Sequence, residues 1–298
     1  MNHSKMGCAA PSELIMAYEE LHHPTDPICT VVTVVKNRAP GLAATRHSIV
    51  SQSIASQLQH IVVDGCSDDG GLELATSWIG EPGFELLTGP DRGIYDAMNK
   101  GLERVQADWV WFLNAGDYFA ASTSVEEVLD AIAAVKVGWG FAAVIPTSAV
   151  GDVVGSPLVP RISRRRIAWG NSFVNHQALV MRTAFLRDIG GFDSTFQSAG
   201  EFEMYLRALK KSEPVLVPLA PVHFEVGGVS SQDVTRHLRE KQRARNMHVA
   251  HSWLQIRTNA WLTTYRLARN KLRRARIPWL RSARDKYLVW RYGMDDYA

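Results

Sequence analysis

The sequence predicts an α/β fold: a mainly parallel sheet with helices on both faces, followed by a helical, basic C-terminal tail. Three observations carry this prediction. Strand-like and helix-like stretches alternate four times between Cys29 and Leu113. The first of the strand-like runs, Cys29 to Val35, is almost wholly apolar and β-branched, as expected of a strand covered on both faces. From Arg236 to Ala298 the pattern is helical and carries 16 Lys and Arg against 4 Asp and Glu, a charge of +12.

The elements follow in order. Met1 to Pro27 reads as a leader with a short helix over Ser12 to Leu21 and a Pro-containing break. After the first strand, Leu42 to Ser53 reads as a helix and His60 to Val63 as a second buried strand. Asp68 and Asp69 stand at the mouth of a helix over Gly71 to Ile79, where carboxylates favour the positive end. Phe84 to Thr88, Asp96 to Val105 and Trp109 to Leu113 continue as strand, helix and strand. The second half is less regular. Ala142 to Ile145, Gln177 to Met181, Val215 to Pro218 and Val222 to Val226 read as strands. Thr183 to Ile189 and Glu201 to Lys211 read as helices. Right-handed crossovers put the loops after the parallel strands at one edge, where ligands bind in open α/β sheets.

The 298 residues are 46% hydrophobic and 21% charged, which excludes a disordered or collagen-like chain. The net charge of +3 hides a body of −9 and the tail of +12. Cys8, Cys29 and Cys66 lie far apart, which argues against a disulfide framework or zinc cluster and fits a reduced compartment. No apolar run approaches the roughly 18 residues that cross a bilayer. The N-terminus has no secretory pattern. The chain is therefore expected in the cytoplasm, soluble or on a membrane surface.

The predicted edge gathers acidic residues. Asp64 follows the second strand, Asp91 and Arg92 the third, and Asp117 the fourth. Taken singly, each Asp is most simply a cap or turn residue. Taken together, the three loops favour a hard divalent cation that neutralises a diphosphate.

These stretches resemble a family: the inverting GT-A glycosyltransferases of family 2, most closely the colanic-acid-type branch that builds bacterial cell-surface polysaccharide. Thr33-Val34-Val35-Lys36-Asn37 and Ile61 to Asp69 carry the likeness. So, above all, does Asp91-Arg92-Gly93-Ile94-Tyr95-Asp96-Ala97-Met98-Asn99-Lys100-Gly101. Phe112 to Asp117 follows at the usual distance. Asn175-His176-Gln177, Gly190-Gly191-Phe192-Asp193, Ser198 to Arg207 and Gly227-Gly228-Val229-Ser230 extend it to Ser231.

The resemblance implies a leader (1–27), a GT-A catalytic domain (28–231) and the tail (232–298). Within the catalytic domain it implies a nucleotide-sugar-binding half (28–120) and an acceptor half (121–231). Donor contacts fall to Val35, Asn37, Asp64 (at the nucleobase), Asp91, Arg92, Tyr95, Asn114, Ala115 and Gly116. Asp117 matches the metal ligand of an Asp-x-Asp-type motif, although Asn114 and Gly116 stand where carboxylates are usual. The implied cofactor is Mg2+ or Mn2+ held with the donor diphosphate. His223 is a further ligand candidate. Glu201 takes the catalytic-base position, with Glu203 as the alternative, and a helix-terminal carboxylate is the plain reading of either. His176 and Gln177 fall on the acceptor side. Arg165, in a basic run, is either solvated or faces an anionic acceptor.

The implied activity moves a sugar from a nucleotide donor to a saccharide or lipid-linked acceptor. A nucleotide-sugar-binding module without turnover is the alternative that Asn114 and Gly116 raise. In the tail, Arg266, Arg269, Arg273 and Arg276 form a basic stripe beside Trp261, Tyr265, Ala268 and Leu272. Such a helix lies on an anionic membrane, here the inner face of the cell membrane, or packs on the body or a second subunit. Nucleic acid is the weaker partner, since no recognised motif accompanies the charge.

Overall fold

A computed structural model describes residues 26–135, 137–148, 150–169, 174–226, 233–249 and 252–274. The helix expected over Ser12 to Leu21, the Gly227 to Ser230 segment and Arg276 lie outside the described residues.

The strands are β1 (Cys29–Val35), β2 (Leu58–Asp64), β3 (Phe84–Thr88), β4 (Trp109–Phe112), β5 (Tyr118–Phe119), β6 (Trp139–Phe141), β7 (Val144–Thr147), β8 (Leu179–Arg182), β9 (Val215–Leu216) and β10 (Val222–Glu225). The central sheet runs β3-β2-β1-β4-β8-β6-β9. β3, β2, β1 and β4 are mutually parallel. β8 is antiparallel to both β4 and β6, and β6 pairs in parallel with β9. A smaller sheet, β5-β10-β7, stands beside it.

The helices are α1 (Ala39–Val50), α2 (Gly71–Thr76), α3 (Ile94–Arg104), α4 (Ser124–Ala133), α5 (Arg164–Ala168), α6 (Thr183–Asp188), α7 (Gly200–Lys211), α8 (Val234–His248) and α9 (Trp253–Arg274). Side chains alternate across β1. Val32 and Val34 join the cluster built with Met98, Leu186, Phe202 and Leu206 of α3, α6 and α7. Val31 faces the other way, into the cluster with Ile49, Val125 and Leu129 of α1 and α4. Helices therefore cover both faces, as expected. α3 approaches closely because Gly101 has no side chain: a Cβ there would lie 2.4 Å from Val32 Cγ1.

Several boundaries differ from the sequence expectation. α1 starts three residues early because Pro40 sits in its first turn, where no backbone donor is needed. The strand expected over Ala142 to Ile145 begins only at Val144, as β7, and β6 ends before it at Phe141. Ala142 N–H bonds Ala178 O, and Ala143 N–H bonds Leu219 O (both 2.8 Å), so the chain steps from one sheet to the other between them. α4 was not anticipated, although Val125, Val128, Leu129 and Ile132 recur at helical spacing and are buried. The cysteine expectation is corrected. Cys29 is free and buried, but Cys66 is disulfide-bonded. Bridging depends on separation in space, which sequence distance does not report.

Candidate active site

The carboxyl ends of β1 and β4 open into a cavity of about 480 Å³. Its walls include Val35, Arg38, Asp91, Asn114, Asp117 and Glu225. Ala115 and Gln177 also line it. Val35, Asp91, Asn114, Ala115, Asp117 and Gln177, predicted from separate stretches of sequence, thus meet in one place.

The loop after β4 is held by Thr45 of α1. Its hydroxyl donates to Asp117 O (2.7 Å) and accepts from Gly116 N–H (3.1 Å). Asp117 Oδ2 accepts from Gln177 Nε2 (2.8 Å), and Oδ1 accepts from the Glu225 N–H (2.9 Å). Burial above all, with the nearby Glu225 charge, pushes the Asp117 carboxyl up to about 7 against those hydrogen bonds. Glu225 itself pairs with Arg38. Trp111 Nε1–H donates to Gln177 O (2.6 Å) and fixes that segment.

Asn114 Nδ2 pairs with His176 Nε2 at 3.0 Å. Burial takes His176 down to about 4, so its ring is neutral near pH 7 and accepts this bond. Asn114 Oδ1 is buried with no partner among the described residues. Asp64 Oδ1 is in the same condition, while its Oδ2 accepts from Ser67 N–H (3.0 Å). Gly65 brings Asp64 and Asp91 together, since a Cβ on it would lie 2.4 Å from Asp91 Oδ2. Asn37 holds the edge rather than lining the cavity: its Oδ1 accepts from Asp68 N–H (2.9 Å).

The other predicted residues lie around the cavity. Arg92 turns back onto Asp96 (2.7 Å) with its side chain largely exposed. Tyr95 is buried, and its hydroxyl donates to Glu201 at the start of α7. Burial raises the Glu201 carboxyl, opposed by that hydrogen bond and by the Lys241 charge. Neither Tyr95 nor Glu201 lines the cavity. Glu203 is committed elsewhere, to Arg207 (2.6 Å) and His248 (2.7 Å). His223 stacks on Tyr118 with ring centroids 4.7 Å apart. Arg165 lies in a different cavity, against α9.

Among the described residues, no group of three or more His, Cys, Asp or Glu side chains is placed to hold a metal unaided. The donor set still fits a cation completed by other ligands. Asp117 and Glu225 face one cavity, and the raised Asp117 carboxyl and unmet Asn114 Oδ1 are both relieved by added positive charge.

Sequence reading missed Arg38, Glu225 and Thr45. Glu225 was within reach, because it shares a strand face with His223 two residues before it.

The glycosyl transferase family 2 profile matches residues 30–187, the stretch that carries the β1–β4 edge. The chain belongs to this family.

An uncharacterized glycosyltransferase of Mycobacterium tuberculosis is 33% identical to this family 2 chain over 210 residues, 69% of this chain and 78% of the relative. A PGL/p-HBAD biosynthesis glycosyltransferase of Mycobacterium bovis is 26% identical over 227 residues, 70% and 82% of the two chains. The fold is that of GT-A proteins. TarS 1–349 of S. aureus in complex with UDP aligns with a TM-score of 0.61 at 15% identity, over 78% of this chain and 68% of that one. The mannosyltransferase PcManGT of Pyrobaculum calidifontis, in complex with GDP-Man and Mn2+, aligns at 0.57 and 16% identity over 90% and 88%. The chain is a glycosyltransferase of the GT-A fold. Among the described residues no helix is long and apolar enough to cross a membrane.

Proposed function

We propose that this family 2 glycosyltransferase moves a sugar, with inversion, from a nucleotide-sugar donor to a saccharide or lipid-linked acceptor in the synthesis of cell-surface polysaccharide or glycolipid. The observation that carries the reading is the meeting of Asp91, Asn114, Asp117 and Gln177 in one cavity at the sheet edge. The donor half is 28–120, the acceptor half 121–231, and 232–298 is the tail.

In this reading the unmet Asp64 Oδ1 accepts an N–H of the nucleobase, and the Asp91-Arg92 loop follows the ribose and phosphates. Asp117 and Glu225, which line the cavity, would hold Mg2+ or Mn2+ together with the donor diphosphate. When bound, the ion stabilises negative charge on the departing diphosphate. Inversion is one displacement. The acceptor oxygen bonds to the anomeric carbon as the bond from that carbon to the diphosphate oxygen breaks, and the diphosphate leaves with the electron pair. Glu201 takes the acceptor hydroxyl's proton, in keeping with a carboxyl that burial raises above its ordinary value. His176 and Gln177 order the acceptor side. The tail keeps the enzyme on an anionic membrane, at the inner face of the cell membrane, where a lipid-linked acceptor resides.

The test is transfer measured with Asp117→Asn and Glu201→Gln across a panel of nucleotide sugars. The reading expects kcat to fall about 100- to 10,000-fold for Glu201→Gln. Undiminished transfer in both variants overturns the roles. Donor binding without turnover by the unaltered chain would instead mark a binding module.

A further inference from the structure

α9 presents its polar side inward. Asn259 and Thr263 are buried, bonded to Arg245 of α8 at 2.5 and 3.2 Å. Asn259 also donates to Gln242 O (3.0 Å). Large apolar side chains stand among the outward positions: Leu254 is 68% exposed, Trp261 67% and Tyr265 50%, beside exposed Arg257 and Arg269. Trp261 and Tyr265 stack on each other one turn apart, 5.7 Å between centroids. A helix that only covered the body would show the opposite arrangement.

A cavity of about 590 Å³ lies between this helix and α5. Ser163, Arg165, Arg166, Trp169, Trp261 and Leu262 line it. Arg266 closes one side by donating to Trp169 O (3.0 Å). The guanidinium groups of Arg165 and Arg166 are exposed, and neither is among the ion pairs of the described residues. The charged residues of α9 are all basic: Arg257, Arg266, Arg269, Lys271, Arg273 and Arg274. Basic groups lining a cleft, with Trp169 and Trp261 in its walls and exposed Leu254 further along the same helix, match an anionic headgroup attached to hydrocarbon.

We propose that the α5–α9 cleft and the exposed face of α9 form a docking site for anionic phospholipid. The lipid phosphate is held by Arg165 and Arg166. Trp261 and Tyr265 enter the headgroup boundary, where aromatic side chains concentrate. This rests on the membrane part of the reading above and gives it a location. A second copy of the chain fits less well, because a symmetric contact would set these arginines against their equivalents. Nucleic acid leaves Leu254 and Ile256, both exposed, without a role.

The experiment is flotation of the full chain with phosphatidylcholine vesicles, with and without phosphatidylglycerol. Wild-type protein is expected to float only with the anionic vesicles. The Arg165→Gln/Arg166→Gln and Trp261→Ala variants, checked for an unchanged melting temperature, are each expected to lower the bound fraction, on the order of tenfold for the arginine pair. If both bind as wild type does, the cleft is not the site, although the membrane reading stands. If wild-type protein ignores anionic vesicles, the membrane reading falls as well. Displacement from vesicles by single-stranded DNA, with DNA binding lost in the same variants, overturns the proposal in favour of nucleic acid.

Discussion

The Glu240 carboxylate on α8 accepts the backbone N–H of Ser198 at 2.8 Å. The same oxygen accepts from Ala199 (2.9 Å), the residue that caps α7, and both oxygens take the Gln197 N–H. A negative charge therefore sits at the N-terminus of α7, whose second residue is Glu201. Gln197 in turn donates to Arg92 O (3.1 Å), which ties this turn to the donor-side loop. The first helix of the basic segment thus supports the proposed base. Glu240→Gln keeps the shape but removes the charge and turns an amide N–H toward backbone donors. It is expected to cost about 1–2 kcal/mol of stability. We expect kcat to fall more than KM rises. A rise in KM alone would place the effect on substrate binding, not on Glu201.

Tyr95→Phe removes the hydroxyl that donates to Glu201. That bond favours the ionised carboxylate, so its loss raises the Glu201 pKa further above the ordinary carboxylate range. The acid limb of the kcat–pH profile should move to higher pH, while kcat on the plateau changes little. A limb that stays put would remove Glu201 from the role of base.

Glu203, paired with Arg207 and His248, is expected to bear on stability rather than on chemistry. Burial raises its carboxyl, but hydrogen bonds from His248 and Arg207 more than offset this, and the folded pKa lies below the ordinary value. The unfolded chain therefore binds the proton more readily, and stability falls as pH drops through the ordinary range toward the folded pKa. Glu203→Gln is expected to lose about 3 kcal/mol at pH 7, because it leaves Arg207 and His248 facing a neutral group. It should also flatten the acid side of the stability–pH curve. Urea melts between pH 3 and pH 7 measure both.

Asp64→Asn puts an amide where the unmet oxygen now lies. A hydrogen bond to a charged group contributes about 1.5–3 kcal/mol. Nucleoside diphosphate binding, followed by calorimetry, should weaken about 10- to 100-fold. Equal affinity would move the nucleobase away from Asp64.

Gly101→Val drives side-chain atoms into Val32. Overpacking of this kind costs about 1–3 kcal/mol, read as a lower melting temperature. Because α3 begins at the Asp91 loop, donor binding should weaken alongside.

The parallel half was legible because its strands are short, mainly apolar runs and each following loop carries its own signal. Asp91 and Asp117 could therefore be placed at the same edge without coordinates. The second half depends on contacts between distant stretches. Glu225 reaches the cavity only because β10 pairs with β5 and β7, and no local pattern announces that pairing. Glu240 could not be tied to α7, because its partners are backbone groups more than 40 residues away. Glu201 and Glu203 looked interchangeable two residues apart. Helical geometry separates them, turning Glu201 to Tyr95 and Glu203 to Arg207 and His248.

The interior contacts of α9 act as a rotational lock. Arg245 meets Asn259 and Thr263, and an apolar seam in their place would let the helix roll about its long axis at small cost. Directional bonds to a buried guanidinium permit one angular setting. The orientation of Trp261 and Tyr265 is therefore settled by the fold before the protein meets any surface. Whatever docks there finds its face already turned outward.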